Sequence, residues 1–236
     1  MAVMAKLFIV ATPVGNLGDI TVRALDTLKT VYRIACEDTR QTQKLLRHYG
    51  ITTPTLSYHQ HSGVAKTEAV VARLRAGEDM ALVTDAGTPG ISDPGYALIA
   101  AALAAGVEVV PIPGPAALIA ALSASGLDTH QFHFLGFLPH KKGRQTLFRQ
   151  IADSSVTTVF YESPHRIVKT LLALAASFGE DRQVVVAREL TKIHEEFVRG
   201  SAQEIHDQLV AKDAVRGEFV VMVSALGTAA LRPHDL

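Results

Sequence analysis

A chain of 236 residues with 48% hydrophobic and 19% charged side chains, 17 Gly and 10 Pro has ample apolar material for a core, which excludes disorder and predicts one large or two modest soluble domains. Lys plus Arg total 23 and Asp plus Glu total 23, and the balance holds in residues 1–125 and again in residues 126–236, so neither half is a basic module and any polyanion site must be local. A single cysteine, Cys36, excludes a disulfide framework or cysteine-cluster metal site and suits a cytoplasmic location, no signal peptide is recognisable, and the most apolar stretch, Tyr96 to Val110, is too short for a membrane span.

The run Lys6 to Ala11 predicts a buried strand stopped by Thr12-Pro13-Val14-Gly15-Asn16. Asp19 is the expected cap of a helix from about Ile20 to Thr30. Strand Arg33 to Cys36, helix Thr39 to Tyr49 closed by Gly50, strand Thr55 to Tyr58 and helix Thr67 to Ala76 closed by Gly77 repeat the pattern. Strand Met80 to Thr84 then delivers the loop Asp85 to Gly95, followed by helix Tyr96 to Ala105, strand Glu108 to Ile112, a Pro-Gly-Pro turn and helix Ala116 to Ala124. Five such units imply a mostly parallel sheet with ligands at the carboxyl ends of its strands. From Gly126 the texture changes, so the domains are expected to be 1–125 and 126–236. The second half offers strand Phe132 to Phe137, the basic loop His140 to Arg144, a helix to about Ala152 and strand Thr157 to Tyr161. A helix started by Ser163 and Pro164, strands Gln183 to Arg188 and Glu195 to Arg199, helix Ala202 to Ala211 and strand Glu218 to Val223 complete a mixed unit before a loose tail.

DAGTPGISDPG (Asp85 to Gly95) carries the densest chemical signal, with three Gly, two Pro and two carboxylates at a strand end. Gly permits close backbone approach, Pro fixes shape, and Asp accepts from ammonium or hydroxyl groups, although an ordinary capped turn would use the same residues. Phosphate-loop and dinucleotide fingerprints are missing. A second constrained turn, Pro111 to Ala117, lies beside it, where Ala116 and Ala117 leave room for a flat ring. His59 and His61 lack a third ligand at useful spacing, so no metal site is expected and substrate contact or plain surface remains open. Lys141, Lys142 and Arg144 form the concentrated basic patch, either a phosphate contact or a solvated linker.

TPVGNLGD (Thr12 to Asp19), CEDTR (Cys36 to Arg40), DAGTPGISDPG, PIPGPAA, GFLP (Gly136 to Pro139), FYESPHR (Phe160 to Arg166), ARELTK (Ala187 to Lys192) and GEF (Gly217 to Phe219) follow in one order. That order resembles the bacterial 16S ribosomal RNA (cytidine 2′-O) methyltransferases, a ribosomal branch of the tetrapyrrole methylase superfamily. The resemblance implies a two-domain α/β fold, a parallel-sheet N-terminal domain and a mixed-sheet C-terminal domain with the site in the cleft between them. It further implies S-adenosyl-L-methionine as methyl donor, 16S rRNA in the small ribosomal subunit as substrate, and a homodimer. The donor would contact Pro13, Gly87, Thr88, Asp93, Gly114, Ala116, Tyr161 and Thr191, and the RNA would contact Asn16 and His59 as well as the basic patch.

Methyl transfer from a sulfonium needs no metal, but it needs a group that accepts a hydroxyl proton. Glu37 and Asp38 with Arg40 are the expected catalytic set, against the alternative of a solvated helix-start cluster, and Lys192 is the other candidate base. A precorrin-type methylase, or a donor-binding ribosome factor without turnover, are the competing readings. The chain departs from the resemblance at His61-Ser62, where an Asn is common in place of Ser, and in a tail ending at Leu236, which puts a tail-borne RNA contact in question.

Overall fold

Lys6–Val10 (β1) alternates its side chains between two apolar layers, Leu7 and Ile9 on one side and Phe8 and Val10 on the other, as a strand covered on both faces must. The computed structural model of the chain describes residues 5–60, 62–179, 182–212 and 214–228, so His61 and the tail from Ala229 to Leu236 lie outside the described residues. The chain divides into two units, Met1–Ala116 and Ala117–Leu236. The expected boundary stood nine residues later, which assigned the helix after the Pro-Gly-Pro turn to the first unit; Leu118, Ala121 and Leu122 of that helix pack instead on the second sheet.

In the first unit, β1 is followed by α1 (Val22–Thr30), β2 (Arg33–Cys36), α2 (Thr39–His48), β3 (Thr55–Ser57), α3 (Val64–Arg75), β4 (Met80–Val83), α4 (Tyr96–Ala104) and β5 (Glu108–Ile112). The strands lie in the order β3-β2-β4-β1-β5 and pair in parallel throughout. Ala24 and Leu28 of α1 and Leu46 of α2 bury against one face, while Val70 and Leu74 of α3 and Leu98 and Ala102 of α4 bury against the other. Parallel order with short connections sets the loops after β2, β4, β1 and β5 side by side along one sheet edge.

Two helix starts of this unit differ from expectation. Asp19 lies in a 3₁₀ turn (Leu17–Asp19) capped by Asn16, whose Oδ1 accepts from Gly18 N at 3.0 Å; the cap of α1 is Thr21, whose hydroxyl accepts from Ala24 N at 3.1 Å. α3 begins three residues early because the Gly63 carbonyl accepts from both Lys66 N and Thr67 N, a turn without an apolar periodicity to announce it.

The second unit runs α5 (Ala117–Ser123), β6 (Phe132–Phe137), α6 (Arg144–Ala152), β7 (Thr157–Glu162), α7 (Ile167–Phe178), β8 (Val184–Arg188), β9 (Glu196–Gly200), α8 (Ala202–Ala211) and β10 (Phe219–Val223). Its sheet, β6-β7-β10-β8-β9, is mixed: β6 and β7 are parallel and the remaining pairs antiparallel. Helices α6, α7 and α8 cover one face and α5 the other. Ser201 and Glu204 start α8 with a reciprocal capping box. The helix expected from Ser163 begins at Ile167, since the Ser163 carbonyl accepts from Arg166 N and Ile167 N and closes a turn first. Strand β9 likewise starts at Glu196, one residue later than expected, because Glu195 turns its carboxylate back to accept from Thr191 N.

Glu162 is the fixed point of this unit. Its carboxylate is fully buried and accepts from Arg166 Nη2 at 2.7 Å, Arg144 Nη2 at 3.0 Å, Thr170 Oγ1 at 2.7 Å and Ser163 N at 2.9 Å. Arg144 also donates to the Pro139 carbonyl and Arg166 to that of Leu138, so one carboxylate ties the end of β7 to the loop before α6 and the start of α7. Removing one partner from such a network strands buried charge, at a cost of about 3–5 kcal/mol. Glu162→Ala is therefore expected to lower the thermal midpoint by on the order of 10 °C. Lys141→Ala, on the exposed loop nearby, should leave it within a degree or two, and scanning calorimetry of the two variants checks the contrast.

Candidate functional site

The loop after β1 and the loop after β4 are locked by a reciprocal bridge: Thr12 N donates to the Gly87 carbonyl and Gly87 N to the Thr12 carbonyl, both at 2.9 Å. Thr12 Oγ1 adds a bond to the Thr84 carbonyl at 3.1 Å. Gly87 holds φ at 83°, where a side chain would strain the backbone. The loop after β5 joins through Thr88 Oγ1, which donates to the Pro115 carbonyl at 3.2 Å. At Gly114 the demand is for space, since a Cβ there would stand 3.0 Å from Ala11 Cβ. Pro13, Gly87, Thr88, Gly114 and Ala116, five of the expected donor contacts, thus belong to one assembly of strand-end loops in the first unit.

A second assembly carries charge. Asp85, at the end of β4, accepts from Asp38 N at 3.1 Å and so holds the start of α2 against the β4 loop. Asp38 caps α2 by accepting from Arg40 N at 2.8 Å, and its two oxygens also take the Arg40 guanidinium at 3.1 and 2.7 Å. That side-chain bond, the backbone bond and the guanidinium charge pull the Asp38 carboxyl down to about 2. Glu37 and Asp93 go the other way. Burial raises the Glu37 carboxyl above the ordinary glutamate value, Asp85 and Asp38 add repulsion, and His59 opposes them. Burial raises Asp93 to about 6, reinforced by Glu37 and Asp85 and opposed by a hydrogen bond with Thr84. Glu37, Asp85 and Asp93 therefore converge, with Asp38 and Arg40 paired alongside. His59, whose backbone N–H donates to Ser62 Oγ at 3.0 Å, influences Glu37 from the end of β3. Ser62 thereby has a defined role in the His59 turn although it stands where Asn was expected.

The second unit has its own polar cluster at the end of β8. Lys192 Nζ donates to Glu189 Oε1 and Glu218 Oε2, both at 2.8 Å. Burial opposes the charge on Lys192, but the bonds to Glu189 and Glu218 prevail and raise its pKa, so it stands as a held cation rather than a proton acceptor. Glu189 in turn occupies the space that a Cβ on Gly217 would fill, which accounts for the Gly in GEF. Glu189 and Thr191 hold φ at 51° and 65°, a strained backbone for side chains of this kind, and Thr191 Oγ1 is buried with no hydrogen-bond partner. Tyr161 accepts from Leu118 N through its hydroxyl at 3.2 Å and packs edge-to-face on Phe134 and tilted against Phe137, at 5.1 and 5.4 Å between ring centres.

The expected residues thus fall into groups. Glu37, Asp38, Arg40, Asp93 and His59 gather around the ends of β2, β3 and β4, and Asn16 caps the turn before α1. Lys192 and Thr191 share the loop after β8. Lys141 and Lys142 are exposed, whereas Arg144, expected on a phosphate, is spent on Glu162, Thr170 and Pro139 inside its own unit. Asp85 was missed as a site residue although its loop was singled out for two carboxylates; Glu189 and Glu218 were missed because their partner, Lys192, gives no hint of them along the chain. Among the described residues no group of His, Cys, Asp and Glu could hold a metal, and no helix is long and apolar enough to cross a membrane.

The chain is 51% identical over 222 residues to Ribosomal RNA small subunit methyltransferase I of Synechocystis, covering 94% of this chain and 79% of the relative. It is 49% identical to the protein of that name from Xylella fastidiosa, covering 94% and 82%, and 45% identical to the one from Hydrogenobaculum, covering 94% and 97%. Among solved structures, a cobalt precorrin-4 methyltransferase superposes with a TM-score of 0.66 at 18% identity, covering 93% of this chain and 94% of that one. The uroporphyrin-III-C-methyltransferase of Thermus thermophilus gives 0.63 at 18%, covering 93% and 94%. At that identity they show the fold, a parallel five-stranded sheet followed by a mixed one. The model of the tetrapyrrole (corrin/porphyrin) methylases matches residues 6–206, and with relatives this similar over nearly its whole length the chain belongs to that family, in the branch of the ribosomal RNA small subunit methyltransferases I.

Proposed function

We propose that this chain transfers a methyl group from S-adenosylmethionine to the 2′-hydroxyl of a cytidine in 16S ribosomal RNA within the small ribosomal subunit. The names of its relatives support the RNA substrate. The observation that carries the chemistry is the half-buried Glu37 carboxylate, raised above its ordinary proton affinity beside a neighbour already fixed by an arginine.

The residues present suit the donor. Glu37, Asp85 and Asp93 repel one another, and a cationic ligand would relieve that repulsion. Gly87 leaves its strand-end backbone open to close approach, and Gly114 lets the next loop pack tightly on Ala11 beside it. Thr191 offers a buried hydroxyl oxygen without a partner. When bound, S-adenosylmethionine supplies a methyl group already activated on a positive sulfur. Asp93 and the Gly87 to Thr88 backbone would hold the methionine end, with Pro13, Gly114 and Ala116 close by, and Tyr161 and Thr191 would contact the adenosine. Glu37 accepts the proton of the ribose hydroxyl as that oxygen gains the methyl, ending as a neutral carboxyl. Asp38, held near 2 by Arg40, is too weak a base for this step and instead fixes the start of α2 next to Glu37. Asn16, His59, Lys141 and Lys142 remain proposed RNA contacts. The proposal includes a homodimer, supported by the outward side of α4, where Tyr96 and Leu103 are 80% and 58% exposed and no charged residue interrupts.

Small subunits lacking the modification, incubated with labelled donor, should take label at a ribose 2′-oxygen of a cytidine in 16S RNA; label in a tetrapyrrole, or on a base, would overturn the proposal. Glu37→Gln should cut turnover at least a hundredfold with donor affinity by calorimetry unchanged. Because Glu37 acts ionised and its carboxyl is raised in the donor-free chain, wild-type kcat/KM for the donor should climb with pH through a midpoint above the ordinary 4.5 of a glutamate.

Asp93 makes a separate prediction about the ligand-free chain. An acid whose folded value is raised, here from 3.8 to about 6, contributes stability below the unfolded value and loses it as pH rises through the folded one. Asp93→Asn should therefore stabilise the ligand-free protein by about 1–2 kcal/mol at pH 8, after discounting for partial solvation, and change little near pH 4. Urea unfolding at the two pH values measures this, and the same variant should bind donor more weakly.

A further inference from the structure

Helix α2 carries its charge in one stripe. Arg40, Lys44 and Arg47 are spaced i, i+4, i+7 and fall within about 60° of one another around the axis. The side that α2 buries, Thr42, Leu45 and Leu46, lies opposite. All three cations are exposed, and no residue from Thr39 to His48 is acidic. In a chain with equal numbers of acidic and basic residues this is a local excess, the kind that a neutral protein needs to meet a polyanion. Arg40 is paired with Asp38, but internal partners do not absorb the outer two cations: Lys44 Nζ reaches only the neutral Gln41 side chain, at 3.0 Å, and the Arg47 guanidinium makes no hydrogen bond or ion pair among the described residues. The neighbouring helix on the same face, α1, sets Asp26 between Arg23 and Lys29 and so adds little net charge. On the opposite face Arg73 is paired with Glu78 and α4 has no charged residue.

The stripe also has a direction. It starts at Arg40, two residues after Asp38 and three after Glu37, and runs about 10 Å outward along the helix to Arg47. A strand of RNA lying on it would have one end at the proposed proton acceptor. The basic loop after β6, by contrast, has lost Arg144 to the buried Glu162.

We infer that the outer stripe of α2, Lys44 and Arg47 beyond Arg40, is a docking surface for the phosphate backbone of the substrate RNA, guiding the target ribose to Glu37. This rests on the proposed RNA methylation. The occupant is nucleic acid because each exposed group on the stripe is a cation or an amide donor and α2 exposes no large apolar side chain to anchor a protein partner.

The test uses the full chain, labelled donor and small ribosomal subunits lacking the modification. Lys44→Gln with Arg47→Gln should raise KM for the subunit about tenfold at physiological salt and flatten the log–log salt dependence of subunit binding by about two. Turnover at saturating subunit and donor affinity should not move. Arg73→Gln with Arg75→Gln on α3 removes the same formal charge from the other face and should leave KM and slope at wild-type values. Unchanged KM and slope in the α2 variant would overturn the inference, and so would an equal loss in the α3 variant, which would mean a response to net charge alone. Wild-type protein that methylates no small-subunit RNA would instead overturn the underlying reading, so the two failures are distinguishable. Both altered side chains are exposed, and unaltered donor affinity checks that the fold is intact.

Discussion

The pair of 2.9 Å bonds between Thr12 and Gly87 is the constraint on which the first unit's chemistry depends. β1 and β4 are adjacent parallel strands, and their chains would separate after the sheet ends. The bridge extends their association by an antiparallel contact just beyond the edge, which only a sharply turned loop can make. Gly87 supplies the turn, Thr12 Oγ1 secures it on Thr84, and Thr88 passes the restraint to the β5 loop through Pro115. With the β4 loop fixed, Asp85 is fixed, and Asp85 holds Asp38 N and with it the start of α2. Glu37 sits where it does because of a chain of hydrogen bonds that begins two strands away.

Carboxylates of one chemical kind take opposite roles here according to what surrounds them. Asp38 and Glu162 face guanidinium groups and Glu189 faces an ammonium group, so they act as anchors; Glu37 and Asp93 are drawn out of solvent beside other acids and hold their protons more tightly. Basic residues divide in the same way. Arg144, Arg166 and Lys192 are committed to internal acids, whereas Lys44 and Arg47 meet solvent. A site built on mutual repulsion keeps its affinity for an incoming cation, and one built on satisfied pairs keeps its shape. The first unit has the former at its sheet edge, and the second has the latter at the ends of β7 and β8.

Most of the fold was legible along the chain because apolar periodicity and Gly stops are local properties. Every helix and strand expected from them is present, with boundaries off by a few residues where a turn of polar composition starts a helix, as at Gly63 and Ser163. The four strand-end loops could be picked out because close backbone approach needs Gly and Pro in density. Partnership over long separations could not be read in this way. Arg144 looks like its neighbours Lys141 and Lys142, and only the fold brings Glu162 and Thr170 against it. Lys192 carries the same ammonium as any lysine until Glu218, 26 residues further on, is folded back to it. The basic stripe of α2 lies between these cases: its spacing is written in the sequence, but it gains meaning only once Leu45 and Leu46 show which side is buried.

The raised acids also explain why the loops around them are so heavily restrained. Holding Glu37 and Asp93 near each other and near Asp85 opposes folding, since both must be desolvated close to other negative charge. A flexible edge would let them separate and would lose the site. The bridge at Gly87, the tight fit at Gly114, the positive φ at Ser92 and the cap at Asp38 leave the loops little freedom to relax, so repulsion persists in the free protein. A ligand that places positive charge among these acids then binds more strongly than it would at a relaxed site, because it removes a repulsion the scaffold has already imposed. On this account the stability given up by the free protein and its affinity for a cationic donor have the same origin, and loosening any one of those restraints should weaken the second while relieving the first.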